Sequence, residues 1–147
     1  MNKHIETLNG QPVIIDYSQW DRIREQSPEH VNTVIEKNIE NSVRAYGAKG
    51  NLAISDRIDR LEHEWDIDRT IMVGIGISNI ILQILSIGRP KSIFRKLAFL
   101  QMPFLVYHAF RGWMPPVSVL RRLLVRSNKE IDAEKYALKT IRGDFHA

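Results

Sequence analysis

The longest apolar pattern in the chain covers residues 70–88, TIMVGIGISNIILQILSIG, and contains no charged side chain. A second uncharged run, residues 97–110, follows after a short basic break. A helix needs about 20 apolar residues to cross the hydrocarbon core of a bilayer. The first run has this length, whereas the second reaches it only if the flanking basic side chains extend to the headgroups. The pattern predicts a membrane-embedded helical hairpin over residues 70–117, whose second arm either spans the bilayer or is re-entrant. The alternative is the buried core of a soluble helical bundle.

The segment before the hairpin has the period of amphipathic helices. Apolar residues recur at intervals of three and four over residues 27–69, which predicts two helices with polar, largely acidic outer faces. Ser27 and Pro28 mark the start of the first helix, and Gly47 marks its end. No Gly or Pro occurs between residues 51 and 73, so we expect the second helix to continue directly into the apolar run.

The two ends of the chain complete the predicted fold. Residues 1–26 form an N-terminal arm, in which Asn9-Gly10 favours a small hairpin. Residues 118–147 form amphipathic C-terminal helices that pack on the N-terminal ones, and the Ser127–Glu130 capping box marks the start of the last helix. The predicted fold class is all-α, with a two-helix membrane hairpin flanked by amphipathic N-terminal and C-terminal helices.

The polar residues of the two apolar runs predict how the runs pair. In a bilayer, amide and small side chains avoid the acyl chains and meet across helices. Such residues recur at intervals of three and four in the first run. In the second run the polar residues Gln101 and His108 lie seven apart and so share a face. We therefore predict a helix-pairing seam, within one hairpin or between two copies, formed by Gly76, Asn79, Gln83, Ser86, Gln101 and His108.

Aromatic and basic residues flank the apolar runs, where the membrane surface would lie. Trp is enriched at this depth, and Arg reaches the headgroups from it. We predict that Asp66 or Asp68 pairs with Arg111 across the hairpin. The predicted interfacial anchors are Trp65, Trp113, Arg111, Arg121 and Arg122.

Composition and charge exclude several classes of functional site. The chain has no cysteine, which excludes disulfides, thiolate metal sites and cysteine nucleophiles. Its net charge is +4, and the basic excess lies beside the apolar runs, which favours anionic headgroups over nucleic acid. The chain has no phosphate-binding glycine loop and no zinc-protease motif. The acidic face of residues 56–68 fits a solvated helix better than a metal site. The sequence predicts no catalytic, cofactor-binding or metal residue, and no cofactor.

Two segments resemble a known family. GWMPPVSVLRRLLVRS at residues 112–127 and EWDIDR at residues 64–69 resemble the bacterial inner membrane protein YgaP-like transmembrane hairpin family. In that family a two-helix hairpin precedes a Gly-aromatic-Cys-Pro turn and a Leu-rich segment. This chain has Met114 where the family often has Cys, and it has no rhodanese domain, so sulfur transfer is not implied. The resemblance implies an inner-membrane hairpin that self-associates.

Three functions are open at this stage. The first is a small non-enzymatic bacterial membrane protein that acts as an anchor, scaffold or self-assembling subunit. Its partners would be the lipid bilayer and either further copies or a membrane-complex partner, with no nucleic acid. The total of basic flanking residues favours cytoplasmic termini at the inner membrane, whereas the density of basic residues in the short turn favours the opposite orientation. The second is a soluble or peripheral all-α protein–protein interaction module. The third, an enzyme or transport component that uses the polar seam, has the least support because the seam lacks a carboxylate and a nucleophile.

Overall fold

The computed structural model describes residues 2–6, 12–88 and 92–145, with side chains from residue 13 onward within those ranges. The structure is mostly helical, which confirms a mainly α-helical chain. The elements in chain order are β1 (Asn2–Glu6), β2 (Pro12–Asp16), α1 (Arg22–Glu25), α2 (Glu29–Gly47), α3 (Asn51–Glu62), α4 (Ile67–Leu85), α5 (Ile93–Arg111), α6 (Pro115–Arg122) and α7 (Asn128–Arg142).

The two strands form the predicted N-terminal hairpin. They pair antiparallel, with Asn2 opposite Asp16 and Glu6 opposite Pro12. The predicted Asn9-Gly10 turn lies outside the described residues. In β2 the side chains alternate as a half-buried strand requires, so that Val13 and Ile15 enter the core while Ile14 is exposed.

The main hydrophobic core lies between β2, α2, α3 and α7. On α2 the buried residues Val31, Ile35, Ile39 and Val43 recur every fourth position and form one stripe. They meet the apolar stripes of α3 and of α7. The C-terminal helix therefore packs on the N-terminal helices, as the sequence predicts.

A second, smaller core joins this bundle to the base of the paired helices α4 and α5. It contains Ile23 of α1, Ile67 and Ile71 of α4, and Met114 and Val117 beside and within α6. The backbone N–H of Ile67 also donates to the carbonyl of Arg126 at 3.1 Å. The start of α4 is thus fixed to the segment that follows α6.

Helices α4 and α5 pair antiparallel and project from the bundle. Asp68 near the start of α4 meets His108 near the end of α5, whereas Asn79 meets Ala98 nearer the other end of both helices. Most of the large exposed hydrophobic side chains of the described residues lie between Met72 and Phe110. The apolar surface of the molecule is therefore concentrated on this pair.

The helix boundaries differ from the prediction at two points. The helix before the apolar run ends at Glu62, and α4 starts anew because the Asp66 side chain accepts from the N–H of Arg69 and caps it. Ser27 does not cap α2; its hydroxyl donates to the carbonyl of Ile23 and closes α1. The capping box of Ser127 and Glu130 is confirmed.

We expect adjacent positions on α2 to respond very differently to truncation. Ile35 is buried in the main core, whereas its neighbour Val34 is 42% exposed. Ile35→Ala should lower the free energy of unfolding by about 2–5 kcal/mol, because it removes buried methyl groups and leaves a cavity. Val34→Ala should change it by less than about 0.5 kcal/mol. Denaturant unfolding followed by far-UV circular dichroism measures both, and equal effects would contradict the assigned core.

Candidate functional site

The facing sides of α4 and α5 form a mixed apolar and polar seam. On α5 the less exposed residues Ala98, Gln101, Leu105 and His108 recur at intervals of three and four. The amide of Asn79 on α4 donates to the Ala98 carbonyl at 3.2 Å, and the Ser78 hydroxyl donates to Gln101 Oε1 at 3.3 Å. Asn79 and Ser78 thus have partners on the opposite helix, whereas the buried Nδ1 of His108 has no hydrogen-bond partner among the described residues.

Most predicted seam residues lie at or beside this seam within one chain. Asn79, Gln101 and His108 contact the opposite helix, and Ser86 is buried at the far end, where its hydroxyl donates to the Gln83 carbonyl. Gln83 is exposed and donates to the side chain of Asn79.

Gly76 is the exception among the predicted seam residues. It is exposed, and a Cβ there would meet nothing within 4 Å. Within one chain Gly76 is therefore not in the seam, where Ile75 and Ser78 lie instead, and a role for Gly76 between two copies stays a prediction.

The base of the seam carries a charged cluster. His108 is buried, and its Nε2 lies 2.9 Å from Asp68 Oδ1. Arg22 of α1 donates from Nη2 to the other carboxylate oxygen of Asp68 at 3.0 Å. Gly112, in the left-handed region with φ +71°, allows α1 to approach, because a Cβ there would lie 2.7 Å from the Arg22 carbonyl oxygen. The cluster therefore fixes α1 to both arms of the pair.

This cluster replaces the predicted pairing with Arg111. Asp68 binds Arg22 and His108, and Asp66 caps α4. Arg111 is exposed at the end of α5. The predicted ion pair across the hairpin is wrong because a histidine one turn earlier on α5 faces the carboxylate.

The predicted anchors are at the base of the α4–α5 pair, with one correction. Trp65 is half exposed and stacks with Arg69 at 5.1 Å, and Trp113 meets Tyr107 edge-on at 6.2 Å. Arg111 and Arg122 are exposed. Arg121 is 1% exposed and is no surface anchor, because it turns inward to a buried carboxylate.

That carboxylate belongs to Glu130, which is the centre of a buried ionic network. Arg121 donates to both oxygens of Glu130, at 2.6 and 3.0 Å, and to Asn32 at 2.5 Å. Arg24 bridges Glu130 and Glu36. A bidentate guanidinium–carboxylate pair of this kind is directional, so it orients α6 against the bundle.

Glu134, one turn later on α7, forms a second buried centre. Its carboxylate accepts from Arg57 Nε at 2.9 Å, from Ser42 at 2.5 Å and from Arg126, which also binds Glu64. Burial alone raises the pKa of Glu134, but the hydrogen bond from Arg57, the charge of Arg126 and the bond from Ser42 outweigh it and hold that pKa below its ordinary value. The carboxylate is therefore kept ionised.

Sequence reasoning missed both centres. The sequence pattern assigns Glu130 only to the capping box and gives Glu134 no buried partner. The available signal was the position of Glu134 three residues after Ile131 and four before Leu138, in phase with the buried stripe of an amphipathic helix. A charged residue in that phase requires buried partners.

A groove lies between α4, α5 and α6 on the outer side of the pair. Its volume is about 710 Å³. Thr70, Gly74 and Ser78 of α4 line one wall at successive turns, and Phe104 and Val119 line the others. The lining is almost wholly apolar, so the groove has the size and character of a site for an apolar ligand.

The structure and the comparisons identify no reaction chemistry. Among the described residues, no group of three or more acidic or histidine side chains could hold a metal ion. Comparisons with protein-family models, curated proteins and solved structures give no match to this chain.

We expect the neighbours Arg121 and Arg122 to differ sharply on substitution. Arg121→Met should lower the free energy of unfolding by about 3–5 kcal/mol, because it removes the bidentate partner of the buried Glu130 and leaves it only Arg24, which Glu130 shares with Glu36. Arg122→Met, at an exposed position, should change it by less than about 0.5 kcal/mol. Denaturant unfolding compares them, and a tolerated Arg121→Met would show that the network contributes little.

The depressed pKa of Glu134 also predicts a pH dependence. The unfolded pKa is about 4.3, so the stabilisation from this carboxylate is complete above that pH and is lost as pH falls through the lower folded value. The difference in thermal midpoint between the native chain and Glu134→Gln should therefore be large at pH 7 and shrink below about pH 4. The exposed Glu62→Gln is the control and should give a small difference throughout. A gap for Glu134→Gln that does not change with pH would contradict the ionised assignment.

Proposed function

We propose that the chain is a small non-enzymatic membrane protein in which α4 and α5 form a hairpin embedded in the bilayer. The bundle of α2, α3 and α7 lies at the membrane surface and carries the remaining elements. The observation that carries the proposal is the outward surface of the helix pair, which is apolar and exposed while the bundle has a closed core of its own.

The apolar exposure of α4 supports the proposal. The stretch Asn51–Ser86, which contains α4, includes an 18-residue window of mean hydropathy 1.5, of which only 11% is buried. It is the one stretch among the described residues that is long and apolar enough to cross a membrane. Soluble monomers rarely expose contiguous apolar patches of more than a few hundred Å². Lipid around α4 would remove the unfavourable contact between these apolar side chains and water.

The internal polar groups of the pair suit a medium without water. In hydrocarbon, polar groups have to be satisfied within the protein. Asn79 donates to the Ala98 carbonyl, Ser78 donates to Gln101, and His108 binds Asp68 at the base. These contacts support the assignment of the seam as the inner surface of an embedded hairpin.

We propose that both arms cross the bilayer, although α4 alone among the described helices is apolar enough along its length to cross by itself. Each helix has 19 residues, which corresponds to about 28 Å of rise. Arg95 and Lys96 lie near one end of α5 and Arg111 at the other, so their long side chains would reach the two headgroup layers. The hairpin then spans with both termini on one side, which we propose to be the cytoplasmic side of a bacterial inner membrane.

The role we propose is anchoring, scaffolding or self-assembly, with the bilayer and further copies of the chain or another membrane subunit as partners. Membership of the YgaP-like transmembrane hairpin family stays a proposal. It is supported by the helix pair followed by the turn Gly112-Trp113-Met114-Pro115, although Met114 departs from the Cys that the family often has there.

A soluble or peripheral interaction module is the alternative function. The same exposed apolar faces would then be covered by a partner protein rather than by lipid. The alternative predicts that the complex stays in solution without detergent, whereas the membrane proposal predicts aggregation of the detergent-free chain.

Vesicle flotation after alkaline carbonate washing tests the proposal. We expect the native chain to remain with the vesicles and Ile77→Arg/Ile81→Arg to be released, because arginine in mid-bilayer costs about 2.5 kcal/mol or more per residue. Leu52→Arg is the matched control, since Leu52 is an exposed hydrophobic residue of the bundle, 90% exposed.

The outcomes of the flotation test separate the two functions. Retention of the Leu52→Arg control together with release of the double variant supports insertion of α4. Release of the native chain by carbonate would reject the membrane proposal in favour of the interaction module.

A further inference from the structure

A second groove lies at the tip of the hairpin, where α4 ends and α5 begins. Its volume is about 580 Å³. The residues that line this tip groove are Asn79, Gln83, Ser86 and Ile87 on the side of α4 and Arg95, Ala98, Phe99 and Met102 on α5. Within each set the residues follow the first one by three, four, seven or eight positions, which places them on one face of a helix. Arg95 therefore belongs to the face of α5 that forms the groove.

The one cation that lines the tip groove lies at its outer end. The bond from Asn79 to the Ala98 carbonyl sets the level of the two antiparallel helices. One turn nearer the tip, Gln83 on α4 is therefore level with Arg95 on α5. Met102 lies about 10 Å further along α5, toward the middle of the pair. The groove thus has the order of a phospholipid, with charge at the tip and apolar side chains below it.

The tip groove has no carboxylate to neutralise this cation. None of its lining residues is acidic, and the sequence contains no Asp or Glu between Asp68 and Glu130. Asp68 lies at the opposite end of the pair, where Arg22 and His108 bind it. The charge of the groove is therefore positive, and it complements an anionic headgroup.

The tip groove also lies at the depth of a headgroup layer if the hairpin is inserted. About 22 Å of helix separates Gln83 from Asp68 at the base of α4. The hydrocarbon core of a bilayer is about 30 Å thick, and an arginine side chain near its edge extends to the headgroups. With the base of the pair at one surface, the guanidinium of Arg95 reaches the phosphate groups of the other.

We propose that the tip groove binds one anionic phospholipid, whose phosphate group contacts Arg95 beside Gln83 and whose acyl chain lies along Phe99 and Met102. The inference rests on the proposed membrane insertion of α4 and α5. It adds a defined lipid site, in the leaflet opposite the chain termini, to a hairpin that would otherwise meet only bulk lipid.

Native mass spectrometry of the full chain in detergent, titrated with phosphatidylglycerol or with phosphatidylcholine of the same acyl chains, measures the site. The native chain should retain one phosphatidylglycerol with about fivefold preference over phosphatidylcholine, which is the contribution expected from one basic side chain at an anionic headgroup. Arg95→Gln should lower the retention of phosphatidylglycerol to that of phosphatidylcholine.

The next residue along α5 provides the matched control for charge. Arg95 and Lys96 are both exposed, but only Arg95 lines the tip groove. Lys96→Gln removes the same charge at nearly the same depth and should leave the preference for phosphatidylglycerol intact. Equal losses from the two variants would indicate a general effect of charge and would overturn the contact in the groove.

A second pair of neighbours tests the acyl chain. Phe99 lines the tip groove, whereas Leu100 is exposed outside it. Phe99→Ala should weaken the retention of both lipids by about threefold or more, because it removes apolar contact area from the groove. Leu100→Ala should leave retention unchanged, and equal effects of the two variants would overturn the placement of the acyl chain.

Further outcomes keep the lipid site and the membrane proposal separate. Equal retention of the two lipids by the native chain would overturn the preference for an anionic headgroup. A chain that floats with vesicles but does not prefer phosphatidylglycerol overturns the lipid site alone. A chain that does not float overturns insertion as well.

Discussion

Two buried carboxylates on α7 hold the two halves of this molecule together. Glu130 and Glu134 lie one turn apart and have fully buried side chains, and their cations Arg121 and Arg126 come from the segment directly after α5. Breaking a buried pair by removing one partner is costly, because the remaining charge is left without compensation. These ion pairs therefore fix the segment after α5 against α7 in one orientation.

The contact between α7 and the segment after α5 lies at the boundary between two kinds of surface. Below it, α2, α3 and α7 bury their apolar stripes against each other and expose charged faces. Above it, α4 and α5 direct Ser78, Asn79 and Gln101 toward the seam, and most of their exposed side chains are apolar. This inversion is expected where water is the solvent of one part and hydrocarbon the solvent of the other. The Asp68, His108 and Arg22 cluster lies at the boundary and ties α1 to both arms.

The sequence predicted the parts that depend on local periodicity and capping. The stripe of Val31, Ile35, Ile39 and Val43 and the capping box at Ser127 follow from spacing alone, and both are present. The break before α4 was missed because no Gly or Pro marks it, and Asp66 serves as the cap.

The buried ionic centres depend on contacts between residues far apart in the chain, such as Arg57 and Glu134. No local pattern specifies which arginine turns inward. Arg121 and Arg122 lie at nearly the same distance in sequence from the apolar run, so spacing does not distinguish them. Arg121 is nevertheless buried and Arg122 exposed. Likewise, spacing places the seam on one face of each helix. Only the contacts of α4 show that Ser78 lies in the seam of this chain and that Gly76 lies outside it.

The absence of cysteine in the native chain makes one direct measurement possible. Single cysteines at Ile77, Ile81, Val34 and Leu52, all exposed apolar positions, can be labelled with a water-soluble maleimide in membrane fragments opened so that both faces are accessible. If α4 is embedded, cysteines at positions 77 and 81 will react only after denaturation in detergent, whereas those at positions 34 and 52 will react at once. Rapid labelling of all four in the native membrane would contradict the embedded hairpin.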